Sequence, residues 1–258
     1  MAIQAITFDF WSTLYHYRQS PRAKHRQIIL DAFVANGRYD INEKRLSAAM
    51  KQATDRWDHV WRTEQRTLDA NEILTLILDI VGVTLPEEMF NRTVNGLQRV
   101  ALAETAVPVD GAAQALVWLS KHYRLGIISD TGWATGQVLR ELLQRDGLLS
   151  HFTHLTFSDE FGRSKPHASL FSATLRGLDT APDEAIHVGD LRHTDILGAQ
   201  EAGMGTVRYA GINDDRDVGS PEADAVIKSY SDIVQYFAGL PHKRPFEKYV
   251  LNNNGSVR

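Results

Sequence analysis

Near its N-terminus the chain reads Ala5-Ile6-Thr7-Phe8-Asp9-Phe10-Trp11-Ser12-Thr13-Leu14. The segment 5–8 is a compact, strand-favouring run that ends in a polar residue, which is typical of a buried parallel β-strand. Asp9 follows it directly, so its carboxylate is expected at the carboxyl end of that strand. Ligands bind at this edge in open α/β sheets, and Asp9 is therefore a candidate nucleophile.

The rest of the chain repeats this strand pattern. The strand candidates, each followed by polar or glycine residues, are 5–8, 125–128, 185–188 and, more weakly, 205–209 and 225–227. The helix-like segments between them are 112–122, 136–144, 168–175 and 195–202. Such alternation predicts an α/β fold with a doubly wound, Rossmann-like parallel sheet. Because parallel strands end at one edge, polar residues that follow different strands are expected to share one pocket.

An inserted helical block interrupts this alternation. Its helix-like segments are 20–35, 42–68, 71–81 and 86–104. In the second segment a stripe at three- and four-residue spacing predicts the core of a helical bundle, and it consists of Trp57, Val60, Trp61 and Glu64. We therefore predict a core domain of 1–17 and 105–240, an all-helical cap domain of 18–104, and a loose C-terminal tail of 241–258.

Composition limits the classes of function. Lys and Arg number 28 against 32 Asp and Glu, a net charge of −4, which disfavours a nucleic-acid or anionic-membrane binder. The chain has no cysteine, so a disulfide or a thiolate nucleophile is excluded. Without a signal-peptide pattern or a long apolar run, the expectation is a soluble, cytoplasmic protein that acts on a small molecule as a monomer or homodimer.

Four polar motifs occur in order along the chain. They are Asp9 with Thr13, then Ser129-Asp130-Thr131, then Lys165-Pro166, and then Gly189-Asp190 followed by Asp195. In this order, over residues 5–200, the chain resembles the haloacid dehalogenase (HAD) superfamily. The inserted helices resemble the type-1 cap of that superfamily. The resemblance implies a hydrolase with its active site at the sheet edge beneath the cap.

The resemblance also implies a role for each motif residue. Asp9 would form a covalent aspartyl intermediate, while Thr13 and Ser129 would hydrogen-bond the nucleophile or the transferring group. Lys165 would offset negative charge, and Asp195 would hold Lys165 or a metal-bound water. The residues implied in substrate binding are Trp11, Ser129, Asp130 and Lys165. The implied ligands of a Mg²⁺ ion are Asp9, Asp190 and the backbone carbonyl of Trp11.

Each motif also has a purely structural interpretation. Asp195 and Ser129 are residues that commonly cap helices, Lys165 could be a solvated loop lysine, and Asp9 could be a turn residue. Any one of them alone would indicate little. Their order at successive strand ends favours the catalytic interpretation.

Trp11 departs from the pattern of the superfamily's phosphatases. Those enzymes usually carry a second aspartate two residues after the nucleophile, as general acid and base, and tryptophan cannot transfer that proton. Because such help is worth about 10²- to 10⁴-fold, leaving groups that depart readily as anions would suffer least. Aryl, acyl and anomeric phosphates and carbon–halogen bonds meet this condition. His16 and His193 are possible substitutes for the acid, whereas His187 is expected inside the sheet.

Three functions stay open at this point. A bulky aromatic at position 11 resembles the 2-haloacid dehalogenases, which work without metal. Asp190 favours a Mg²⁺-dependent phosphatase instead, because a dianionic phosphoryl group benefits from a metal ion whereas halide displacement does not need one. A weakly catalytic or non-catalytic protein that binds a phosphorylated ligand is the third possibility. The phosphatase is the main expectation.

Overall fold

A six-stranded parallel sheet forms the centre of the molecule in the computed structural model, which describes residues 2–103 and 106–240. In chain order the strands are β1 (Ala5–Phe8), β2 (Tyr15–Tyr17), β3 (Ala106–Pro108), β4 (Arg124–Ser129), β5 (His154–Phe157), β6 (Ala185–Gly189), β7 (Gly205–Tyr209) and β8 (Ala225–Ile227). The sheet order is β5-β4-β1-β6-β7-β8. The predicted α/β parallel sheet is confirmed.

Strand register decides which loops meet. β1 lies between β4 and β6, with Phe8 opposite Ile127 on one side and Val188 on the other. All three strands run in the same direction, so their carboxyl ends lie side by side. The segments that begin with Asp9, Asp130 and Asp190 therefore leave the sheet at neighbouring points along one edge.

Ten helices complete the described part of the chain. They are α1 (Arg22–Ala35), α2 (Glu43–Glu64), α3 (Ala70–Val81), α4 (Glu87–Gln98), α5 (Ala112–His122), α6 (Gly136–Arg145), α7 (Ser158–Phe161), α8 (Ala168–Gly177), α9 (Leu197–Glu201) and α10 (Tyr230–Ala238). α5, α6 and α10 pack on one face of the sheet, and α8 and α9 pack on the other. The sheet is thus covered on both faces, as its apolar strands require.

The inserted helices α1 to α4 have a core of their own, which includes Ile29, Phe33, Leu46 and Leu74. Local capping sets several of their ends. Asp69 and Glu72 form a reciprocal capping box at the start of α3, where two otherwise unpaired backbone N–H groups find acceptors. The antiparallel strands β2 and β3 pair at the point where the chain leaves and re-enters the sheet domain.

The domain division at 17/18 and 104/105 stays a prediction. Residues 104, 105 and the predicted tail at 241–258 lie outside the described residues. Within the described ranges, no helix combines the length and the apolar character that crossing a membrane would require.

Several elements differ from the sequence-based expectation. The helix predicted at 42–68 ends at Glu64, because Gln65 adopts a left-handed backbone conformation with φ 48°. The helix predicted at 195–202 begins only at Leu197, after a π-helical turn at Arg192–Ile196. β5 and α10 were not expected. β5 is an edge strand in which only two of the four residues are buried, so it lacks the continuous apolar run of a central strand.

Candidate active site

Asp9 lies in a tight turn directly after β1. Its backbone N–H donates to the carbonyl of Val188 at 2.8 Å, which extends the sheet pairing by one residue. The carbonyl of Phe10 accepts from the backbone N–H groups of Leu14 and Tyr15, and the ring of Phe10 stacks on that of Tyr15 at 4.6 Å. This packing holds the loop, and Asp9 is only 6% exposed.

Lys165 joins two of the predicted motif residues. Its Nζ lies 2.6 Å from Oδ1 of Asp9 and 2.6 Å from Oδ1 of Asp195. Lys165 and Asp195 are 2% and 1% exposed, so the interpretation of Lys165 as a solvated loop lysine is wrong. Burial alone would lower the pKa of Lys165, but the surrounding carboxylates outweigh it and hold that pKa above its usual value. The buried ammonium is therefore charged.

Asp195 is held by donors on both of its oxygens. His187 Nε2 lies 3.2 Å from Oδ1, and the backbone N–H of Leu191 donates to Oδ2 at 2.9 Å. Burial alone would raise the pKa of Asp195, but Lys165 and His187 together keep it below its usual value. Asp195 also approaches Gly189 so closely that a Cβ at position 189 would lie 2.2 Å from its Cγ. Only glycine fits at that point.

Asp190 completes an acidic cluster beside Lys165. One carboxylate oxygen from each of Asp9, Asp190 and Asp195 lies within 4.8 Å of the others. Burial, with the charges of Asp9 and Asp195, raises the pKa of Asp190 to about 8. Burial also raises the pKa of Asp9 to about 7, against the opposing charge of Lys165. Ionising two buried carboxyl groups side by side is unfavourable, because the two negative charges repel each other. A divalent cation bound between them would offset that repulsion.

The chemistry of this donor set fits a hard cation. Mg²⁺ prefers carboxylate and carbonyl oxygens and commonly binds through one or two carboxylates. Asp195 is already engaged by Lys165, His187 and a backbone N–H, whereas Asp190 accepts only one side-chain hydrogen bond among the described residues, from Asn213 Nδ2 at 2.9 Å. Asp190, and Asp9 through the oxygen that Lys165 does not contact, are thus the carboxylates left to take such an ion.

The second motif lies against the same cluster. Asp130 is half-buried, and desolvation raises its pKa to about 6, against the opposing charge of Lys165. Its Oδ1 accepts from the backbone N–H of Lys165 at 2.9 Å. Ser129 is completely buried and its hydroxyl donates to the carbonyl of Asp130 at 3.2 Å. Thr13 is also completely buried, and its hydroxyl has no hydrogen-bond partner among the described residues.

A profile of haloacid dehalogenase-like hydrolases matches residues 3–203. The chain belongs to this family of HAD-like hydrolases. The resemblance noted from the four motifs is therefore confirmed, and the enzyme is a hydrolase.

Two curated HAD-like relatives are named glyceraldehyde 3-phosphate phosphatase. The one from Pyrococcus furiosus is 36% identical over 134 residues, which is 49% of this chain and 49% of that protein, so this match spans about half of the relative's length. The one from Methanopyrus kandleri is 27% identical over 206 residues, or 80% of this chain and 83% of that protein.

Solved structures share the fold over nearly the whole chain. The HAD hydrolase YfnB from Bacillus subtilis, bound to magnesium, has a TM-score of 0.66 at 16% identity and covers 92% of this chain and 99% of its own. A 2-haloacid dehalogenase from Pseudomonas syringae has a TM-score of 0.63 at 22% identity and covers 92% and 98%. At these identities the likeness concerns the fold alone.

The cap of this HAD-like hydrolase contributes directly to the site through Trp61. Its Nε1 donates to Oδ2 of Asp130 at 2.7 Å, and its ring meets that of His193 edge-on at 5.0 Å. The prediction that the stripe on α2 forms only a bundle core is therefore wrong for Trp61. Glu64 is also exposed, whereas Val60 does pack in the bundle.

His16 and His193 were considered as substitutes for the missing general acid. Within the described residues, neither of them forms a hydrogen bond with Asp9. His16 is half-buried in β2. Burial, with the charge of Arg62, lowers the pKa of His193, and its Nε2 is buried without a hydrogen-bond partner among the described residues.

Sequence reasoning missed two contacts of the cluster. His187 was expected inside the sheet, where it does lie, but its ring also links Thr7 Oγ1 at 2.8 Å to Asp195. The sequence feature that could have indicated this contact is the position of His187, two residues before Gly189. Asn213 lies in the loop after β7, far along the chain from any motif, and no feature of the sequence marks it.

Proposed function

We propose that this hydrolase is a Mg²⁺-dependent phosphatase that acts on a small phosphorylated metabolite through Asp9. The observation that carries the proposal is the position of Asp190, whose carboxylate shares a buried cluster with Asp9 beside the ammonium of Lys165. A dianionic phosphoryl group needs positive charge at this point, and the cluster offers both a lysine and a cation site. The names of the two phosphatase relatives support the same activity.

The reaction would proceed in two displacements on phosphorus. A carboxylate oxygen of Asp9 attacks the phosphorus, the bond from phosphorus to the ester oxygen breaks, and that oxygen leaves with the electron pair. Water then attacks the aspartyl phosphate, releases inorganic phosphate and restores the carboxylate of Asp9. Lys165 offsets negative charge throughout, and Asp195 keeps the lysine in position.

The remaining motif residues would contact the transferring group. The hydroxyl of Thr13 is buried without a partner among the described residues, so a phosphoryl oxygen could accept its hydrogen bond. Ser129 would donate to the same group. Asp9, Asp190 and the carbonyl of Trp11 would hold the Mg²⁺ ion, which would supply positive charge against the phosphoryl oxygens.

The test is the hydrolysis of p-nitrophenyl phosphate with Mg²⁺, with EDTA and with the Asp9→Asn variant. Nitrophenolate leaves without protonation, so Trp11 does not hide the activity. We expect turnover that EDTA abolishes and that falls at least about 10³-fold in Asp9→Asn, since the nucleophile is lost. Asp79→Asn, at an exposed aspartate on α3, is the matched control and retains activity. Full turnover in EDTA or in Asp9→Asn would contradict the proposal.

A second candidate is a metal-independent 2-haloacid dehalogenase, which Trp11 favours. The indole lines a cavity between the cap and the sheet domain and stacks on Tyr17 at 4.7 Å, so it gives that cavity an apolar wall. Halide release from small 2-halocarboxylates in EDTA, with Asp190→Asn still active, would support it. Absence of halide release together with Mg²⁺-dependent phosphate release would exclude it.

A further inference from the structure

A cavity of about 390 Å³ lies between the cap and the sheet domain. Its volume is in the range of small-ligand pockets. The cap contributes His25 and Trp57, and the sheet domain contributes Trp11 and Trp133. We call this space the aromatic pocket, and Tyr17 completes its ring-bearing lining.

The aromatic pocket reaches the sheet edge that carries the nucleophile. It is lined by Trp11, two residues after Asp9, and by Asp130 and Thr131 at the end of β4. Asp9 itself is not part of the lining, so a group attached to a phosphoryl unit at Asp9 would enter the pocket past Trp11 or Asp130.

The lining favours a flat, uncharged ring. Trp11 and Tyr17 stack at 4.7 Å with planes 10° apart, and His25 lies 4.9 Å from Trp133. Burial lowers the pKa of His25 to about 4, so its ring is neutral at pH 7 and adds no charge. Rings gain from offset-stacked and edge-to-face contacts beyond the area that they bury.

The wall of the pocket contains one hydrogen-bond donor without a partner. Nε1 of Trp57 is buried and has no hydrogen-bond partner among the described residues. It lies over Gly132, where an added Cβ would be 3.5 Å away from it. Because almost none of its surface is exposed, this N–H faces the wall of the pocket rather than its open space, and the ring of Trp57 is what the pocket offers to a ligand.

We propose that the aromatic pocket binds the leaving group of an aryl phosphate, a planar ring joined directly to the ester oxygen. This inference rests on the proposed phosphatase function. The chemistry at Trp11 points the same way. With no acid at that position the ester oxygen must leave as an anion, and an aryloxide is stable enough to do so without protonation.

Binding tests the proposal without turnover. Phenyl phosphate, 4-nitrophenyl phosphate and methyl phosphate are titrated into the Asp9→Asn protein with Mg²⁺, and binding is measured by calorimetry. We expect phenyl phosphate to bind about tenfold more tightly than methyl phosphate, and 4-nitrophenyl phosphate to bind at least as tightly as phenyl phosphate. Equal affinities for phenyl and methyl phosphate would overturn the proposal.

Substitutions in the aromatic pocket test whether the ring of the ligand binds there. In the same background, Trp133→Leu and Trp57→Leu should weaken phenyl phosphate binding about tenfold, whereas Trp133→Phe, which retains a ring, should restore most of it. Trp118→Leu, at a tryptophan on α5 outside the pocket, is the matched control. Thermal unfolding of each variant identifies any that fails to fold. Unchanged affinity in folded Trp133→Leu and Trp57→Leu would overturn the proposal.

Substrate comparison separates this inference from the proposed function. Acetyl phosphate has an easy leaving group but no ring. We expect the wild type to prefer 4-nitrophenyl phosphate over acetyl phosphate. If that preference falls about tenfold in Trp133→Leu, the result supports binding of the ring in the aromatic pocket. Hydrolysis of acetyl phosphate alone would overturn the aryl inference and leave the phosphatase standing. Tighter binding of uridine 5′-phosphate than of phenyl phosphate would also overturn it, because a sugar would then separate ring and phosphate.

Discussion

At residue 11 a tryptophan occupies the position where a general acid would act on the leaving group. Its indole stacks on Tyr17 and makes an edge contact with Phe10 at 5.0 Å, so it is held in place by packing. An indole N–H does not ionise in the useful range. The side chain can therefore shape the pocket but cannot protonate a departing alkoxide.

Restoring a carboxyl group at this position should broaden the leaving groups that the enzyme accepts. In Trp11→Asp we expect hydrolysis of alkyl phosphates to rise relative to p-nitrophenyl phosphate, by a ratio of about 10² or more, because protonation helps only poor leaving groups. The ratio of kcat/KM values for the two substrates is the measurement.

Trp11→Leu is the control for that substitution, since it removes the ring without adding an acid. If both variants fold and show the same ratio of kcat/KM values for the two substrates, the lack of an acid is not what limits the hydrolysis of alkyl phosphates.

At the level of elements, the end of α2 links the cap to the loops of the sheet domain. After α2 ends, the carbonyl of Gln65 accepts from the backbone N–H of Ser164 at 2.8 Å, and Thr67 Oγ1 lies 2.7 Å from Ser158 Oγ. The indole of Trp61 adds the contact with Asp130. These hydrogen bonds, with that from Arg163 Nη1 to the carbonyl of Glu64 at 3.4 Å, connect the end of α2 and the residues after it to the loops of the sheet domain.

Trp61→Phe should weaken that connection. The substitution keeps an aromatic ring but removes the donor, and it leaves Oδ2 of the half-buried Asp130 without this partner. We expect the free energy of unfolding to fall by about 1 kcal/mol, the typical net contribution of a hydrogen bond. Urea unfolding measures the change, and Trp118→Phe on α5 is the control. A loss under about 0.5 kcal/mol would show that the hydrogen bond contributes little.

For the whole molecule, the buried acidic cluster couples stability to pH. The pKa values of Asp9 and Asp190, about 7 and about 8, exceed the ordinary value of 3.8. At these two carboxyls the folded protein therefore binds more protons than the unfolded chain between about pH 4 and pH 8, so their contribution to stability falls as pH rises through that window. Without metal, these carboxyls stabilise the fold only while they are protonated.

Comparison with Asp190→Asn isolates this effect. Buried histidines titrate in both proteins, so their contribution cancels in the difference. We expect the Tm of the metal-free wild type to fall relative to Asp190→Asn between pH 5 and pH 8.5. A shift of one pKa unit is worth about 1.4 kcal/mol, and each kcal/mol moves Tm by about 2–4 °C in a chain of this size.

Mg²⁺ should reverse the trend in the wild type alone. A ligand that binds only the folded state raises stability by about 2.7 kcal/mol at 100 times its Kd, and the gain should be largest at high pH, where the carboxylates are ionised. A Tm difference that is flat with pH and insensitive to Mg²⁺ would show that Asp9 and Asp190 do not form a cation site.

Much of the fold could be predicted because strong local patterns encode it. The buried strands β1, β4 and β6 are apolar runs that end at polar residues, and each was found where the pattern indicated. Edge strand β5 and helix α10 were missed. The pattern of β5 is weak because only part of an edge strand needs to be apolar, and its pairing with β4 is what stabilises it.

The candidate site was predictable to the extent that it follows strand ends. Asp9, Ser129 and Asp190 lie where the sequence indicated, at one edge of the sheet, because parallel strands end together. The roles of these residues stay predictions until the variants are measured. Asn213, by contrast, could not be found, since its contact with Asp190 joins residues 23 apart through a loop without a repeating pattern.

By itself the sequence determined the strand–helix alternation, the inserted helical block and the four motifs, because each depends on residues that are close together in the chain. Only the tertiary structure decided that Lys165 pairs with both Asp9 and Asp195, that Trp61 reaches Asp130, and that a ring-lined cavity lies between the cap and the sheet domain. These features depend on packing between segments far apart in the chain. Their distances and burial, and hence their charges, exist only once the chain has folded.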